Sequence, residues 1–218
     1  MRALSPDWPC AMVDYATADS INAMAANALA KHPGSLIPIG LSMGGMVALE
    51  IWRQASKRVI AMSLFDTDCG ADTNERRQNR DTQIIMAVHG DFREMVETQL
   101  LPNYFSADSV TNAKTHQALR ETVIAMALDL GVAAFAAQIT ALATREDSWP
   151  LLPDISVPTL VACGADDRIC TPDSHRRMAS VMCLATLAYI DRAGHLPPLE
   201  QPTQTTRVLR SWLETLKF

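Results

Sequence analysis

A serine in a glycine-rich segment is the strongest candidate for chemistry in this sequence. Ser42 lies in the segment 40–45 (GLSMGG), between an apolar, strand-like run and a stretch with helical periodicity. A serine at a sharp strand-to-helix turn occupies strained backbone, so its neighbours must be small, and Gly40 and Gly44 meet that need. Such a turn exposes the hydroxyl and directs the Met43 amide at an oxyanion. The spacing therefore predicts a nucleophile at Ser42.

His195 is the best placed of the five histidines to act as the base that a serine nucleophile needs. It follows Gly194 directly after the last predicted strand, so a loop at the carboxyl edge of a parallel sheet would hold it. His32 stands before Pro33 at a helix end. The other three lie in helical stretches, where a solvated position is expected: His89, His116 and His175. We therefore predict that His195 is the base.

Two adjacent aspartates are candidates for the acid that would orient the histidine. Asp166 and Asp167 come just past a predicted strand and lie between the serine and the histidine in sequence. One of the two is expected only to cap the turn. Asp66 and Asp68 are rivals because they also follow a strand and precede His195, and Asp68 remains the minor alternative.

The elements that must position these residues are short strands alternating with helices, which is typical of a parallel α/β sheet. Between 71 and about 149 the periodicity is helical and no strand is convincing. A helical insertion therefore interrupts one α/β core. Strands are predicted at 10–15, 36–41, 59–65, 159–163 and 186–190, and helices at 20–31, 44–55, 173–182 and 203–216.

Three ordered motifs carry a resemblance that covers nearly the whole chain. The serine segment 40–45, the segment 158–167 with its two aspartates, and the segment 194–202 (GHLPPLEQP) are similar to those of the α/β-hydrolase family, in particular its small bacterial members with a helical cap. The resemblance implies a mostly parallel sheet flanked by helices. Residues 1–70 and 150–218 would form the core, and 71–149 the cap.

The resemblance also implies a role for each site residue. Ser42 corresponds to the nucleophile, His195 to the base, and the Met43 amide to an oxyanion donor. In such hydrolases the acid commonly stands three residues beyond the glycine of its motif, and this selects Asp167 over Asp166.

The sequence departs from the family before the serine. The family supplies a second oxyanion amide from a His-Gly segment after an earlier strand, and no such segment precedes Ser42. If 1–4 ends a first helix and 10–15 is the fourth strand, the first three strands are missing, and a gap in the middle of the sheet is expected. The chain is then either incomplete at its N-terminus or rearranged.

Composition excludes several other classes of protein. The 218 residues carry a net charge of −5 and no basic cluster, so nucleic-acid binding is not expected. The five cysteines are scattered, without the close pairs of metal or redox motifs, so we expect reduced thiols in a cytoplasmic protein. The serine mechanism requires no metal and no cofactor, so none is expected. The most membrane-like stretch, 123–143, contains Asp129, Gly131 and Gln138, so a soluble helical pair is expected there and no membrane partner.

The expected reaction is hydrolysis of an ester or similar acyl bond in a small, partly apolar substrate through an acyl-enzyme. Enol-lactonase, C–C hydrolase and acyltransferase reactions would use the same triad, and a catalytically silent or binding protein is the alternative from another class. Oligomeric state stays open. Five residues of the helical insertion are candidates for an apolar pocket wall, although the interior of the insertion is their more common place: Met86, Phe92, Met95, Tyr104 and Phe105.

Overall fold

The computed structural model describes Leu4 and residues 8–15 and 18–216. Its strands are β1 (Ile39–Leu41), β2 (Met62–Phe65), β3 (Thr159–Gly164) and β4 (Ala185–Ile190). Its helices are α1 (Ile21–Lys31), α2 (Met43–Ala55), α3 (Asn74–His89), α4 (Phe92–Met95), α5 (Ala107–Thr111), α6 (Ala113–Leu130), α7 (Val132–Thr144), α8 (Pro172–Ser180), α9 (Pro197–Glu200) and α10 (Pro202–Leu213). A π turn at Val96–Leu100 and short 3₁₀ turns at Ser56–Arg58, Leu101–Asn103 and Trp149–Asp154 complete the set.

The four strands form one parallel sheet in the order β1-β2-β3-β4. Its central strands β2 and β3 are buried along their whole length, which is why they are continuous apolar runs in the sequence. On one face, Leu64 and Val161 pack with α1, α2 and α8. On the other face, Phe65 and Leu160 pack against α10. The two helical layers therefore fix the sheet, and the loops after its strands meet at one edge.

The chain between β2 and β3 is helical, as the periodicity predicts, and we call α3 to α7 with their turns the helical block. Its interior is a separate apolar cluster that includes Phe92, Met95 and Phe135. Gly131, with a φ of 82°, turns the chain between α6 and α7 by 96°. Among the described residues, no single helix is long and apolar enough to cross a membrane; α6 and α7 meet that test only as this bent pair.

Two predictions about the N-terminal part are corrected. Residues 10–15 form no strand, because no described strand lies beside them, and Met12 is 79% exposed. The expected gap in the sheet is also not found: the described strands are contiguous, and β1 is an edge strand. The predicted helix end at 1–4 lies outside the described residues except for Leu4.

The strand predicted at 36–41 is shorter than expected. Leu36 makes only an isolated bridge to Val59, and the ladder begins at Ile39. Pro38 stands between them and has no N–H to donate, so it interrupts the ladder.

Candidate active site

Ser42 lies at the turn from β1 into α2, where its backbone is strained. Its φ is 53° and its ψ is −117°, a conformation that non-glycine residues rarely adopt. A Cβ on Gly40 would lie 2.1 Å from the Gly44 carbonyl oxygen, and one on Gly45 would lie 2.6 Å from the side chain of Thr67. Gly44 faces open space, so the second glycine that the turn requires is Gly45 and not the predicted Gly44.

The structure brings the three predicted side chains into one hydrogen-bonded row. Ser42 Oγ lies 2.9 Å from His195 Nε2, and His195 Nδ1 lies 2.9 Å from Asp167 Oδ2. His195 and Asp167 are 4% and 3% exposed, so the hydrogen bond between them is buried, while Ser42 lies at the open end of the row. This is the spacing that lets a histidine take a proton from a serine while a carboxylate holds the ring.

Asp167 is held as an anion by its surroundings. Burial acts to raise the pKa of this carboxyl, but the hydrogen bond and charge of His195 and the N–H groups of Cys170 and Ile169 outweigh it, and the pKa lies below its usual range. Those two N–H groups donate to Oδ1 at 3.1 and 2.8 Å. Oδ2 is thereby left to His195.

The loop that carries His195 is fixed by the helical block and by α9. The His195 N–H donates to the Tyr104 carbonyl at 2.8 Å, and the Gly194 N–H donates to Glu200 Oε1 at 2.7 Å. A Cβ on Gly194 would lie 2.6 Å from that same Tyr104 oxygen. Gly194 is therefore required for close contact between the loop and the block.

None of the rival aspartates contacts His195. Asp166 is exposed, and Asp68 pairs with Arg76 at 2.6 Å and Arg145 at 3.8 Å. Burial acts to raise the pKa of Asp68, but the Gly70 N–H and the two arginines hold it below its usual range.

Asp66 is fully buried and accepts the Gly164 N–H at 2.8 Å. Burial raises the pKa of Asp66, partly opposed by that bond and reinforced by the charge of Asp167.

His175 supports the candidate site from a buried position, so the solvated position expected from the sequence is wrong. It is fully buried, and its Nε2 accepts the Thr67 N–H at 3.1 Å. Thr67 in turn donates its hydroxyl to the Ser42 carbonyl at 2.7 Å, so His175 supports the serine turn from behind. The helical spacing of His175 with the buried Met178 and Met182 was the available signal.

Ser42 and His195 open into a cavity of about 770 Å³ between the sheet edge and the helical block. Of the block residues predicted as pocket candidates, Tyr104 lines the cavity, whereas Phe92, Met95 and Phe105 are buried in the cluster of the block and Met86 packs against it. The apolar wall consists instead of Val96, Leu100, Val123, Phe135, Ile139 and Leu142. Arginines also reach this cavity: Arg76, Arg80, Arg145 and Arg168.

Asp167, Cys170 and His195 also form a group whose ligand atoms lie within 4.8 Å of one another. A metal ion there would have to replace the hydrogen bond between His195 and Asp167. Burial raises the pKa of the Cys170 thiol well above its usual range, which disfavours the thiolate that binds metals. These three side chains are therefore better suited to the hydrogen bond between His195 and Asp167 than to binding a metal ion.

Comparison with known proteins identifies the family. An esterase from Thermogutta terrifontis, solved with malate bound, is 32% identical with a TM-score of 0.81, over 89% of this chain and 72% of that one. An enol-lactonase from Burkholderia xenovorans LB400 is 22% identical with a TM-score of 0.73, over 89% and 73%. An esterase from Exiguobacterium antarcticum is 21% identical with a TM-score of 0.76, over 92% and 76%.

A search of curated proteins finds no match. Residues 2–208 match the family described as "Alpha/beta hydrolase family", in agreement with the resemblance of the three motifs. The family match covers most of the sequence, and the T. terrifontis esterase exceeds 30% identity over most of both chains. The chain belongs to the α/β-hydrolase family.

Proposed function

We propose that this α/β-hydrolase cleaves a carboxylic ester through Ser42, His195 and Asp167. The observation that carries the proposal is the unbroken row of hydrogen bonds from Ser42 Oγ through the His195 ring to Asp167, at 2.9 Å on both sides of the ring. The row ends in a cavity large enough for a small molecule. The esterase from T. terrifontis, which is similar over most of this chain, supports the same reaction class.

In this proposal Ser42 Oγ attacks the ester carbonyl while His195 Nε2 takes its proton. His195 then gives that proton to the leaving alcohol, which departs and leaves an acyl group on Ser42. A water molecule, deprotonated by His195, attacks the acyl carbon; the bond to Ser42 Oγ then breaks, His195 returns the proton to Oγ, and the acid leaves. Asp167 stabilises the imidazolium in both halves of the cycle and keeps Nδ1 protonated.

The Met43 N–H is the proposed oxyanion donor. Met43 is the first residue of α2, so its N–H has no acceptor within the helix and belongs to the positive helix end, where a donor to the developing oxyanion is needed. Removing a donor of this kind lowers turnover by roughly 10² to 10³ in other hydrolases.

The test is covalent labelling of Ser42 together with ester turnover. Wild-type protein should react with a fluorophosphonate probe and hydrolyse para-nitrophenyl butanoate. Ser42→Ala should lose labelling and at least about 10⁴-fold in kcat, with its thermal unfolding unchanged, because the hydroxyl faces the cavity.

The matched control is Ser35→Ala, which removes an exposed hydroxyl from the segment that leads into β1 and should keep both activities. A folded wild-type protein that neither labels nor turns over the ester would favour the catalytically silent alternative. Activity retained in Ser42→Ala would remove Ser42 as the nucleophile.

A further inference from the structure

The charge of the cavity wall is opposite to that of the whole protein. The chain has a net charge of −5, yet four arginines line the cavity. The carboxylates paired with them are Asp68, which also lines the cavity, and the fully buried Asp72. Even with the anionic Asp167 behind His195, the positive charges exceed the negative ones. A concave site with such an excess concentrates anions at its wall.

Arg80 and Arg168 have guanidinium N–H groups that make no hydrogen bond among the described residues. Within the described residues, Arg80 donates only through Nε, to Asp72 Oδ2 at 3.1 Å, so Nη1 and Nη2 remain available. Arg168 is exposed and makes no hydrogen bond or ion pair in the described part of the chain. The side chain of Arg145, by contrast, is only 3% exposed, and its nitrogens already contact Asp72 and two backbone carbonyls. The terminal nitrogens of one guanidinium form a planar fork that matches a single carboxylate.

The free donors and the reacting groups line the same cavity. Arg80 and Tyr104 both line it, and the charge of Arg80 partly opposes the rise that burial causes in the pKa of the Tyr104 phenol. The Tyr104 ring lies 5.7 Å from the His195 ring. A ligand held by Arg80 would therefore occupy the cavity into which Ser42 and His195 open, and the apolar wall from the helical block lines the same cavity.

From these observations we infer that the substrate is an ester that carries a carboxylate as a second group, bound by the terminal nitrogens of Arg80 with Arg168 adding positive charge at the cavity. The inference rests on the proposed function. A dianionic phosphate is a poorer fit, because Asp68 and Asp72 already occupy the donors of the neighbouring arginines.

The experiment compares a neutral ester with two anionic ones. The neutral probe is para-nitrophenyl pentanoate; the anionic probes are the mono-para-nitrophenyl ester of glutarate, with its carboxylate on the acyl side, and the pentanoate ester of a carboxylated nitrophenol. Each kcat/KM is divided by the hydroxide-catalysed rate of the same ester. We expect at least one anionic ester to exceed the neutral one by roughly tenfold or more, and added salt to reduce that ratio.

The variant Arg80→Gln should lower the anionic-to-neutral ratio about tenfold, and Arg80→Lys should restore part of it. Arg77→Gln is the matched control, because it removes the same charge from the same helix at an exposed position outside the cavity, and it should keep the ratio. The salt dependence of wild type tests the idea even if Arg80→Gln fails to fold.

Ser42-dependent turnover in which neither anionic ester is preferred would overturn the inference while the proposed function stands. Equal loss of the ratio in Arg77→Gln would also overturn it, since only a diffuse charge effect would remain. No Ser42-dependent turnover of any of the three esters would overturn both.

Discussion

Left-handed backbone in the described residues lies at the ends of sheet strands, including the turn that carries Ser42. Among the described residues, the non-glycine residues with left-handed φ are Ser42, Asp66 and Arg192, at 53°, 45° and 55°. Each follows directly or closely on the carboxyl end of a sheet strand. Such conformations cost of order 1–3 kcal/mol each and persist only when the surrounding structure enforces them. Their position supports the view that strand ends in this sheet are shaped for chemistry.

Asp167→Asn should lower ester turnover by roughly 10³ to 10⁴-fold, because an amide cannot stabilise the imidazolium and allows the wrong tautomer of His195. Asp166→Asn is its matched control, since Asp166 is exposed and adjacent and should stay within a factor of about two. Steady-state kinetics on a para-nitrophenyl ester measures both. Equal losses in the two variants would leave the acid unassigned.

His175 should make the protein less stable in mild acid. Burial lowers the pKa of this imidazole below its ordinary value, opposed in part by the Thr171 carbonyl. The imidazole of His175 is therefore protonated less readily in the folded state than in the unfolded state, where it takes up a proton below about pH 6.5. The stability that neutral His175 contributes is fully present above that pH and is lost as the pH falls through the folded-state pKa.

The measurement is thermal unfolding between about pH 7.5 and pH 5. His175→Gln should be destabilised at neutral pH by about 1–3 kcal/mol and show a weaker fall in acid than wild type. His89→Gln, at an exposed position, should follow wild type. An unchanged pH profile in His175→Gln would contradict the assignment.

At the scale of elements, Glu200 at the end of α9 joins three parts of the molecule. Its Oε1 accepts the Gly194 N–H, and its Oε2 accepts the Ser106 N–H at 2.8 Å and the Ser109 hydroxyl at 2.7 Å. The His195 loop is thus tied to the start of α5 in the helical block. We interpret Glu200 as a positioning residue that acts through the loop and not on the substrate.

Glu200→Gln should lower kcat about tenfold with little change in KM, because the charge-assisted bonds that hold the loop are weakened. Its free energy of unfolding should fall by about 1–3 kcal/mol. Glu214→Gln, an exposed change after α10, serves as the control. A loss of stability without a change in kcat would reduce Glu200 to a purely structural residue.

At the scale of the whole molecule, the burial of the sheet is uneven along its width. β2 and β3 each pair with a strand on both sides, whereas β1, which leads to Ser42, has a described partner on one side only. Ile39 is accordingly 43% exposed. Ser42, the proposed nucleophile, therefore follows a strand at the edge of the described sheet, and its turn relies on α2 and Thr67 for support.

Amide hydrogen exchange should reveal this gradient. We expect the slowest exchange in β2 and β3, faster exchange in β1, and exchange close to the unfolded rate for residues 10–15, which form no strand. Mass spectrometry of peptides that cover these segments measures it. Strong protection at 10–15 would show that this segment pairs with another strand in solution.

The sequence by itself determined the class of fold and predicted which three side chains meet at the strand ends. Ser42, Asp167 and His195 each stand in a local motif just after an apolar run, and the carboxyl ends of parallel strands share one edge, so their meeting could be inferred without coordinates. The alternation of strands and helices on both sides of a helical stretch was predicted for the same reason: periodicity is a local property. The boundaries of a cap at 71–149 stay a prediction.

Only the tertiary structure decided which residues support those motifs. The bond from His175 to Thr67, and those from Glu200 to Ser106 and Ser109, join residues more than ninety positions apart. No local pattern encodes such pairs. The segment 10–15 is a second example. Its apolar residues predict a strand, but a strand forms only where a neighbouring strand supplies the hydrogen bonds, and the local sequence does not encode that neighbour. Local spacing in the sequence therefore predicts the candidate site residues, whereas long-range packing determines which residues support them.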